Sequence, residues 1–272
     1  MEIKLPDRSC TGCGVCLLNC KAGAITMKPH DDGFLYPFID TDSCIQCGQC
    51  MRSCHAMNEN EMNQPIACYA AQLMDKEVLS RSTSGGMFFA LASSVLNRNG
   101  IVYGCAYDEQ YNASIVRAAS FDQLQPIHGS KYVWSDPCKS YPLVKHDLEN
   151  GREVLYTCLP CQAAGLKKYL HRSYDNLYIV DVLCGGSPSP YAFQKYLETV
   201  TDEAGKKNLI SNFGTKKSTA PAWIAPICGT GKNTTNHGLK TVIIFLSLPS
   251  RVLSGENPVM SATIKACIEC QT

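Results

Sequence analysis

Eight cysteines in this chain fall into two runs with one spacing. Cys10, Cys13, Cys16 and Cys20 form the first, and Cys44, Cys47, Cys50 and Cys54 form the second. Both read C-x2-C-x2-C-x3-C, with a glycine, Gly14 or Gly48, directly after the second cysteine. Thiols so close in sequence do not readily pair with one another, because a disulfide needs opposed Cβ vectors. Clustered thiolates instead ligate soft metals. Three cysteines two residues apart let a tight loop hold three corners of an iron–sulfur cubane, and a glycine leaves that loop free to turn its N–H groups toward sulfur. The fourth cysteine is expected on the short helix that follows, aimed at the other cluster. Cys10, Cys13, Cys16 and Cys54 are therefore assigned to one [4Fe-4S] cluster. Cys44, Cys47, Cys50 and Cys20 are assigned to the second.

This spacing is that of bacterial two-cluster ferredoxins. Zinc is the alternative, but zinc sites commonly unite two cysteine pairs from separate loops, which fits two matched four-cysteine runs less well. Between the runs, Ala24 to Met27 and Phe34 to Ile39 flank Asp31-Asp32-Gly33, a turn signal that predicts a hairpin packing over the clusters. The proline that usually follows each fourth cysteine is replaced by Lys21 and His55. That change bears on potential rather than on ligation.

Composition narrows the remaining options. Lys and Arg number 25 against 24 Asp and Glu, a net charge of +1. Two oxidised clusters, each with its thiolates about −2, would bring it to about −3. Neither value makes a field suited to nucleic acid or an anionic membrane. No apolar run approaches the ~20 residues of a membrane span. The N-terminus lacks an apolar signal core, so a cytoplasmic location is expected. Apolar residues make up 45% of 272, enough for a buried core in one or two domains.

The elements that must position this chemistry follow from periodicity. Met57 to Pro65 is polar and reads as a linker. Ile66 to Leu73 is strand-like. Ser82-Thr83-Ser84-Gly85-Gly86 precedes a helix running from Met87, expected to be capped by Ser or Thr and closed by Gly100. Ile101 to Tyr103 follows as a strand. Strand, loop and helix then recur twice, at Val154 to Leu170 and at Leu177 to Val200, which predicts a largely parallel sheet with helices on it. Val242 to Leu248 reads as one more strand. Ligands of such sheets sit at the carboxyl ends of the strands, where Cys158, Cys161 and Cys184 would converge.

Three features there invite a chemical reading. Thr83 to Met87 sets bare backbone at a helix N-terminus, a seat for phosphate. Lys131 suits the N1 edge of a flavin. The Cys158–Cys161 pair is a redox or metal-binding spacing. Cys68, Cys105, Cys138 and Cys228 have no partner spacing and read as buried apolar residues.

With these segments in order, the chain resembles the family of coenzyme F420 hydrogenase/dehydrogenase beta subunits. The resemblance rests on Ser82 to Gly86, Gly129-Ser130-Lys131-Tyr132, Pro160-Cys161-Gln162 with Ala164-Gly165-Leu166, and Val182-Leu183-Cys184 through Pro190, and it covers roughly residues 1–205. It implies an α+β protein: a ferredoxin-like two-[4Fe-4S] domain over 1–60, an α/β flavin-binding-type domain over 66–210, and a divergent, incomplete segment over 211–272. It also implies an oxidoreductase that passes electrons between the clusters and a bound FAD, which exchanges hydride with a deazaflavin or another redox substrate. Ser84, Gly85 and Gly86 would meet the flavin, and Lys131 and Tyr132 would line its pocket. Cys161 and Cys184 match family cysteines near it, some of which would ligate a third cluster. A redox protein or a small hydride donor or acceptor is the implied partner. The departures are Gly185 where the family has histidine, the added Cys158, and the loss of resemblance from about Ile210, including the late pair Cys267 and Cys270. The alternative is a flavin-free, ferredoxin-type electron-transfer protein that serves a partner enzyme.

Overall fold

The computed structural model describes residues 3–58, 68–82, 84–204 and 243–245. The two cysteine runs build a small unit of two short helices and a hairpin. Helix α1 spans Val15–Leu18 and α2 spans Gln49–Ser53, each entered through its glycine. Gly14 and Gly48 hold φ of 72° and 71°, the left-handed conformation that side chains resist. Strands β1, Ile25–Pro29, and β2, Leu35–Ile39, pair antiparallel with Ile25 opposite Ile39, as the turn signal predicts. Ile25 is buried with Cys16 and Cys50, and Ile39 packs against them, so the hairpin does cover the cysteine loops.

The rest is layered. Strand β3, Cys68–Ala70, precedes helix α3, Lys76–Arg81, which Asp75 caps by accepting from the N–H groups of Glu77 and Val78. Helix α4 runs over Met87–Asn97, then strand β4 over Ile101–Tyr107 and β5 over Ala113–Ala118. Helix α5, Ser140–Glu149, leads into β6, Val154–Cys158, and α6, Pro160–Leu170. Strand β7, Leu177–Asp181, and helix α7, Pro190–Ala204, follow, and β8, Ile243–Phe245, pairs antiparallel with β3. The main sheet has the order β5-β4-β6-β7, with β4, β6 and β7 parallel and β5 an antiparallel edge.

Both faces of this sheet are covered because its central strands alternate between two cores. Ile101, Tyr103, Val154, Tyr156 and Cys158 face α5 and α6, where Tyr141, Val144, Leu148 and Leu166 meet them. Val102, Ala106 and Leu155 face the other way, onto Leu91, Ala92 and Val95 of α4. The two-residue period of a strand sends successive side chains to opposite layers. A polar tie runs through the first core. Asp147 of α5 accepts from the Tyr103 hydroxyl at 2.6 Å and from Arg117 of β5 at 2.8 and 2.9 Å. Among the described residues no helix is long and apolar enough to cross a membrane.

Several expectations need correction. Helix α4 is capped by Gly86 in the left-handed conformation, without a side-chain bond from Ser or Thr. It ends at Asn97, with Asn99 rather than Gly100 turning at positive φ. Cys54 is the C-cap of α2 and Cys20 lies just past α1, so the fourth cysteines leave the helices instead of riding on them. Strand β5 is not apparent from the sequence, because its short run Ala-Ser-Ile-Val-Arg-Ala has no flanking βα signal. The linker from residue 59, Thr83, Cys228, the 211–272 segment apart from β8, and the Cys267 and Cys270 pair lie outside the described residues.

The cysteine unit and the layered part share one packed seam. The Trp134 indole N–H donates to the Thr11 carbonyl at 3.1 Å. A Cβ built on Gly165 of α6 would stand 3.1 Å from the Cβ of Cys13, and one built on Gly14 would overlap Cys138 Sγ. Cys138 is therefore no isolated core residue: it closes onto the first cysteine loop. Gly14→Ala is expected to combine a left-handed strain of about 1–2 kcal/mol with displacement of Cys138. Gly23, at φ 63° with open space around its Cα, is a matched control for the strain alone. Thermal melts of the two variants should show the larger loss for Gly14→Ala.

Candidate functional site

The ends of the two runs meet. His55, next to Cys54, bonds Thr11 between Cys10 and Cys13, Oγ1 to Nε2 at 2.9 Å. Asn19, next to Cys20, donates to Ser53 Oγ at 3.0 Å. The first bond brings the end of the second run beside the loop of the first, and the second ties the two ends together. Electrostatics follow the same grouping. Burial raises the Cys10 thiol, and repulsion from Cys54 adds to it. Burial pushes Cys13 up to about 11 and Cys16 up to about 12, with Cys10 and Cys54 among the charges that raise them further. Burial also raises Cys50, with Cys20 and Cys47 adding to the effect.

Cys20, Cys44, Cys47 and Cys50 line one small cavity, closed by Ile3, Ile25, Ile39 and Ile45. Among the described residues no three His, Cys, Asp or Glu side chains gather closely enough to hold a single metal ion. Four thiols spread around a cavity suit a multi-atom cluster, with sulfur donors at its corners, better than a lone tetrahedral zinc. The donor set thus fits the group that the spacing implies. The two sites differ in exposure. Cys13, Cys16 and Cys54 are buried against α6 and the Trp134–Cys138 segment, whereas Cys47 is exposed and Ile45 beside it is 68% exposed.

The residues expected around a flavin are arranged along neighbouring loops. Ser84 is half-buried, and Gly85 and Gly86 are buried before α4. The Gly85 carbonyl accepts from Leu73 at 2.8 Å, and a Cβ on Gly86 would meet Leu73 Cδ1 at 2.7 Å. Phe89, in the first turn of α4, meets His128 edge-on at 6.5 Å, which brings this helix start toward the Lys131 loop. Lys131 Nζ donates to the carbonyls of Ile127, His128 and Gly129 at 2.8, 2.9 and 3.1 Å. All three protons are held by its own loop. Burial pulls Lys131 down to about 8, with the neighbouring Cys105 opposing that shift. Tyr132 packs in the cluster of Tyr107, Tyr111 and Phe193. A cavity of about 580 Å³ opens between the hairpin and the start of α7, lined by Leu35, Tyr111, Trp134 and Phe193 rather than by the glycines.

Cys158 ends β6, Cys161 is the second residue of α6, and Cys184 follows β7, whose Asp181 stands opposite Cys158. Burial raises Cys161, and Cys184 adds to that rise. Cys158 is raised well above its ordinary value by burial, with Asp181 and Cys161 contributing. Sequence reasoning placed Gln162 in a motif but gave it no role; its side chain accepts from Leu159 N–H at 2.9 Å and donates to Ser135 at 2.9 Å. Its position right after Pro160-Cys161 was the available signal. It missed Trp134 and Cys138 as seam residues, and nothing in their local sequence marks them.

Residues 9–58 match the 4Fe-4S dicluster domain, and residues 151–214 match the C terminus of the coenzyme F420 hydrogenase/dehydrogenase beta subunit. One of the subunits of the F(420)H(2) dehydrogenase of Methanosarcina mazei is 23% identical over 188 residues, 64% of this chain and 53% of that protein. The chain spans about half the length of this curated relative. A chain in the structure of the F420-reducing [NiFe] hydrogenase complex of Methanosarcina barkeri matches with a TM-score of 0.42 at 18% identity, over 53% of this chain and 52% of that one. The chain is thus similar to a two-[4Fe-4S] ferredoxin domain over its two cysteine runs and to coenzyme F420 hydrogenase/dehydrogenase beta subunits over residues 151–214.

Proposed function

We propose that this chain is an electron-transfer oxidoreductase component in which Cys10, Cys13, Cys16 and Cys54 hold an inner [4Fe-4S] cluster and Cys20, Cys44, Cys47 and Cys50 hold an outer one. The observation that carries this reading is the asymmetry of the two thiol sites. The inner site is packed against α6 and Trp134, and the outer site has Cys47 exposed. Single electrons would enter or leave through the outer site, toward a redox protein, and the inner site would serve the layered part. Charge transfer between cofactors needs no proton from the seam, where the buried Trp134 ring donates its indole N–H to the Thr11 carbonyl.

The same reading gives the layered part an FAD. When bound, FAD supplies the step between a two-electron hydride carrier, a deazaflavin or another conjugated ring, and one-electron clusters. Ser84, Gly85 and Gly86 would place backbone N–H groups at the start of α4, and Tyr132, Cys161 and Cys184 would border the ring system. Lys131, with a proton that leaves near pH 8, would sit beside it. The flavin-free alternative is favoured by one observation, the retention of all three Lys131 protons by its own loop.

One preparation separates the two. Purified and reconstituted without oxygen, the flavoprotein should hold about one flavin and about eight irons per chain. Lys131→Met should then lower flavin content and leave iron unchanged. Eight irons without flavin would select the simple electron-transfer protein.

The polarity of the two sites also bears on how a redox protein would dock. Ile45 and Phe38 are exposed apolar residues on the cysteine unit, and Ile45 sits within the outer loop. Ile45→Glu should leave iron content intact and slow reoxidation of the reduced protein by cytochrome c more than reoxidation by ferricyanide. A small oxidant reaches the site without laying a protein surface on Ile45, so equal slowing would remove the case for contact there.

A further inference from the structure

The cavity between the hairpin and α7 has no part in the cluster or flavin readings. Its volume of about 580 Å³ is that of a small-molecule site, and none of the residues given to the flavin lines it. Its walls are fixed from several directions. Trp134 N–H donates to the Pro188 carbonyl at 3.0 Å, and Asp136 N–H to the Ala113 carbonyl at 3.0 Å. Gln194 Nε2 donates to the Gln110 carbonyl at 3.0 Å. The hairpin turn closes against the start of α7, where a Cβ built on Gly33 would stand 2.5 Å from Tyr191 Cβ. The walls are therefore preformed.

Aromatic rings and carboxylates share this space. Trp134 and Phe193 are buried in its wall, Tyr111 is half-buried, and Tyr191 is exposed at its rim. Asp31 and Asp136 are the acidic residues that line it, and no lysine or arginine does. Asp136 Oδ1 accepts from the Cys138 N–H at 2.9 Å, which fixes that carboxylate beside the cavity. His30 also borders the space, with its ring near the Asp32 carboxylate at 3.8 Å and against Tyr36. The start of α7 is no seat for an anion: Pro190 has no N–H, and Ser189 Oγ accepts that of Ala192 at 3.2 Å. Aromatic faces attract cations instead. Lys195 Nζ already stands 5.8 Å from the Tyr191 ring centroid while it pairs with Glu198.

We propose that this cavity binds a planar heteroaromatic cation, a fused-ring molecule with a quaternary nitrogen. The aromatic walls hold it by stacking and cation–π attraction, and Asp31 and Asp136 balance its charge. A neutral ring of the same shape gains the stacking alone. An anion meets two carboxylates and no lining lysine or arginine. Trp134 is a shared wall: its indole N–H bonds the Thr11 carbonyl, and its Cζ2 would lie 2.9 Å from a Cβ on Gly12. The bound cation is thus separated from the first cysteine loop by the Trp134 side chain. The site requires neither cluster nor flavin, because no residue given to the flavin and none of the eight cluster cysteines lines it.

The test is calorimetric titration of the full chain, purified without oxygen, with N-methylquinolinium and with quinoline, its uncharged counterpart, at about pH 8. N-methylquinolinium should saturate about one site per chain with a dissociation constant below about 1 mM, and bind about tenfold more tightly than quinoline. Asp31→Asn and Asp136→Asn should each weaken the cation about threefold to tenfold and leave quinoline unchanged. Asparagine at 136 keeps a carbonyl acceptor for the Cys138 N–H, so the loss reports charge. Tyr191→Ala should weaken both molecules about threefold. Melting temperatures of the three variants should stay at the wild-type value, which separates lost binding from lost fold. Three outcomes would overturn the proposal: equal affinity for the two molecules, no saturation by about 10 mM cation, or wild-type affinity in all three variants, which marks binding elsewhere on the surface.

Discussion

Cys16→Ser should remove about four of eight irons per chain and also lower the melting temperature of the whole protein, whereas Cys47→Ser should remove about four and leave the melt of the layered part nearly unchanged. The difference follows from position. Cys16 is buried with Ile25 and Cys50, next to helices that pack on α6. Its neighbours Cys13 and Gly14 touch Gly165 and Cys138 across the seam. Losing the inner cluster leaves a void and three unligated thiols, Cys13 and Cys54 of them buried, and ligand binding to the folded state no longer opposes unfolding. Cys47 is exposed, and Ile45 beside it is 68% exposed. Iron, acid-labile sulfide and the EPR signal of the reduced protein report the cluster that remains, and circular dichroism reports the melt. Equal melts for the two variants would sink the inner and outer assignment.

The second large effect concerns the polar tie in the core. Asp147→Ala is expected to cost about 3–5 kcal/mol, because Arg117 and the Tyr103 hydroxyl would lose their shared acceptor in a site where Asp147 itself is nearly buried. The Arg117 side chain is 34% exposed, so water screens part of this and the lower end of the range applies. Burial pushes the Asp147 carboxyl up, but the Arg117 and Tyr103 hydrogen bonds and the Arg117 charge together hold it below its ordinary value. A carboxyl lowered in the folded state stabilises above its unfolded pKa, near 4, and the gain is lost as pH falls through the folded value. Denaturant titrations of the wild type and Asp147→Asn should therefore differ at pH 7 and converge in acid. A constant difference across that range would mean that packing, not ionisation, sets the cost.

The cysteine chemistry was legible in the sequence because it is local. Thiol spacing, Gly14 and Gly48 at positive φ, and the Asp31-Asp32-Gly33 turn depend on chain geometry over a few residues. The same is true of β6, α6 and α7, whose periodic apolar positions announce the layer they must cover. Strand β5 escaped notice because an antiparallel edge carries no connection signal, and the cap of α4 because a left-handed glycine competes with Ser and Thr for that position. What only the tertiary structure decided is which residues from distant segments meet: Trp134 on Thr11, Cys138 on Gly14, Cys13 against Gly165, and Lys131 closed onto its own carbonyls. Such contacts are set by packing two surfaces to high density, and no spacing along one segment encodes the shape of another.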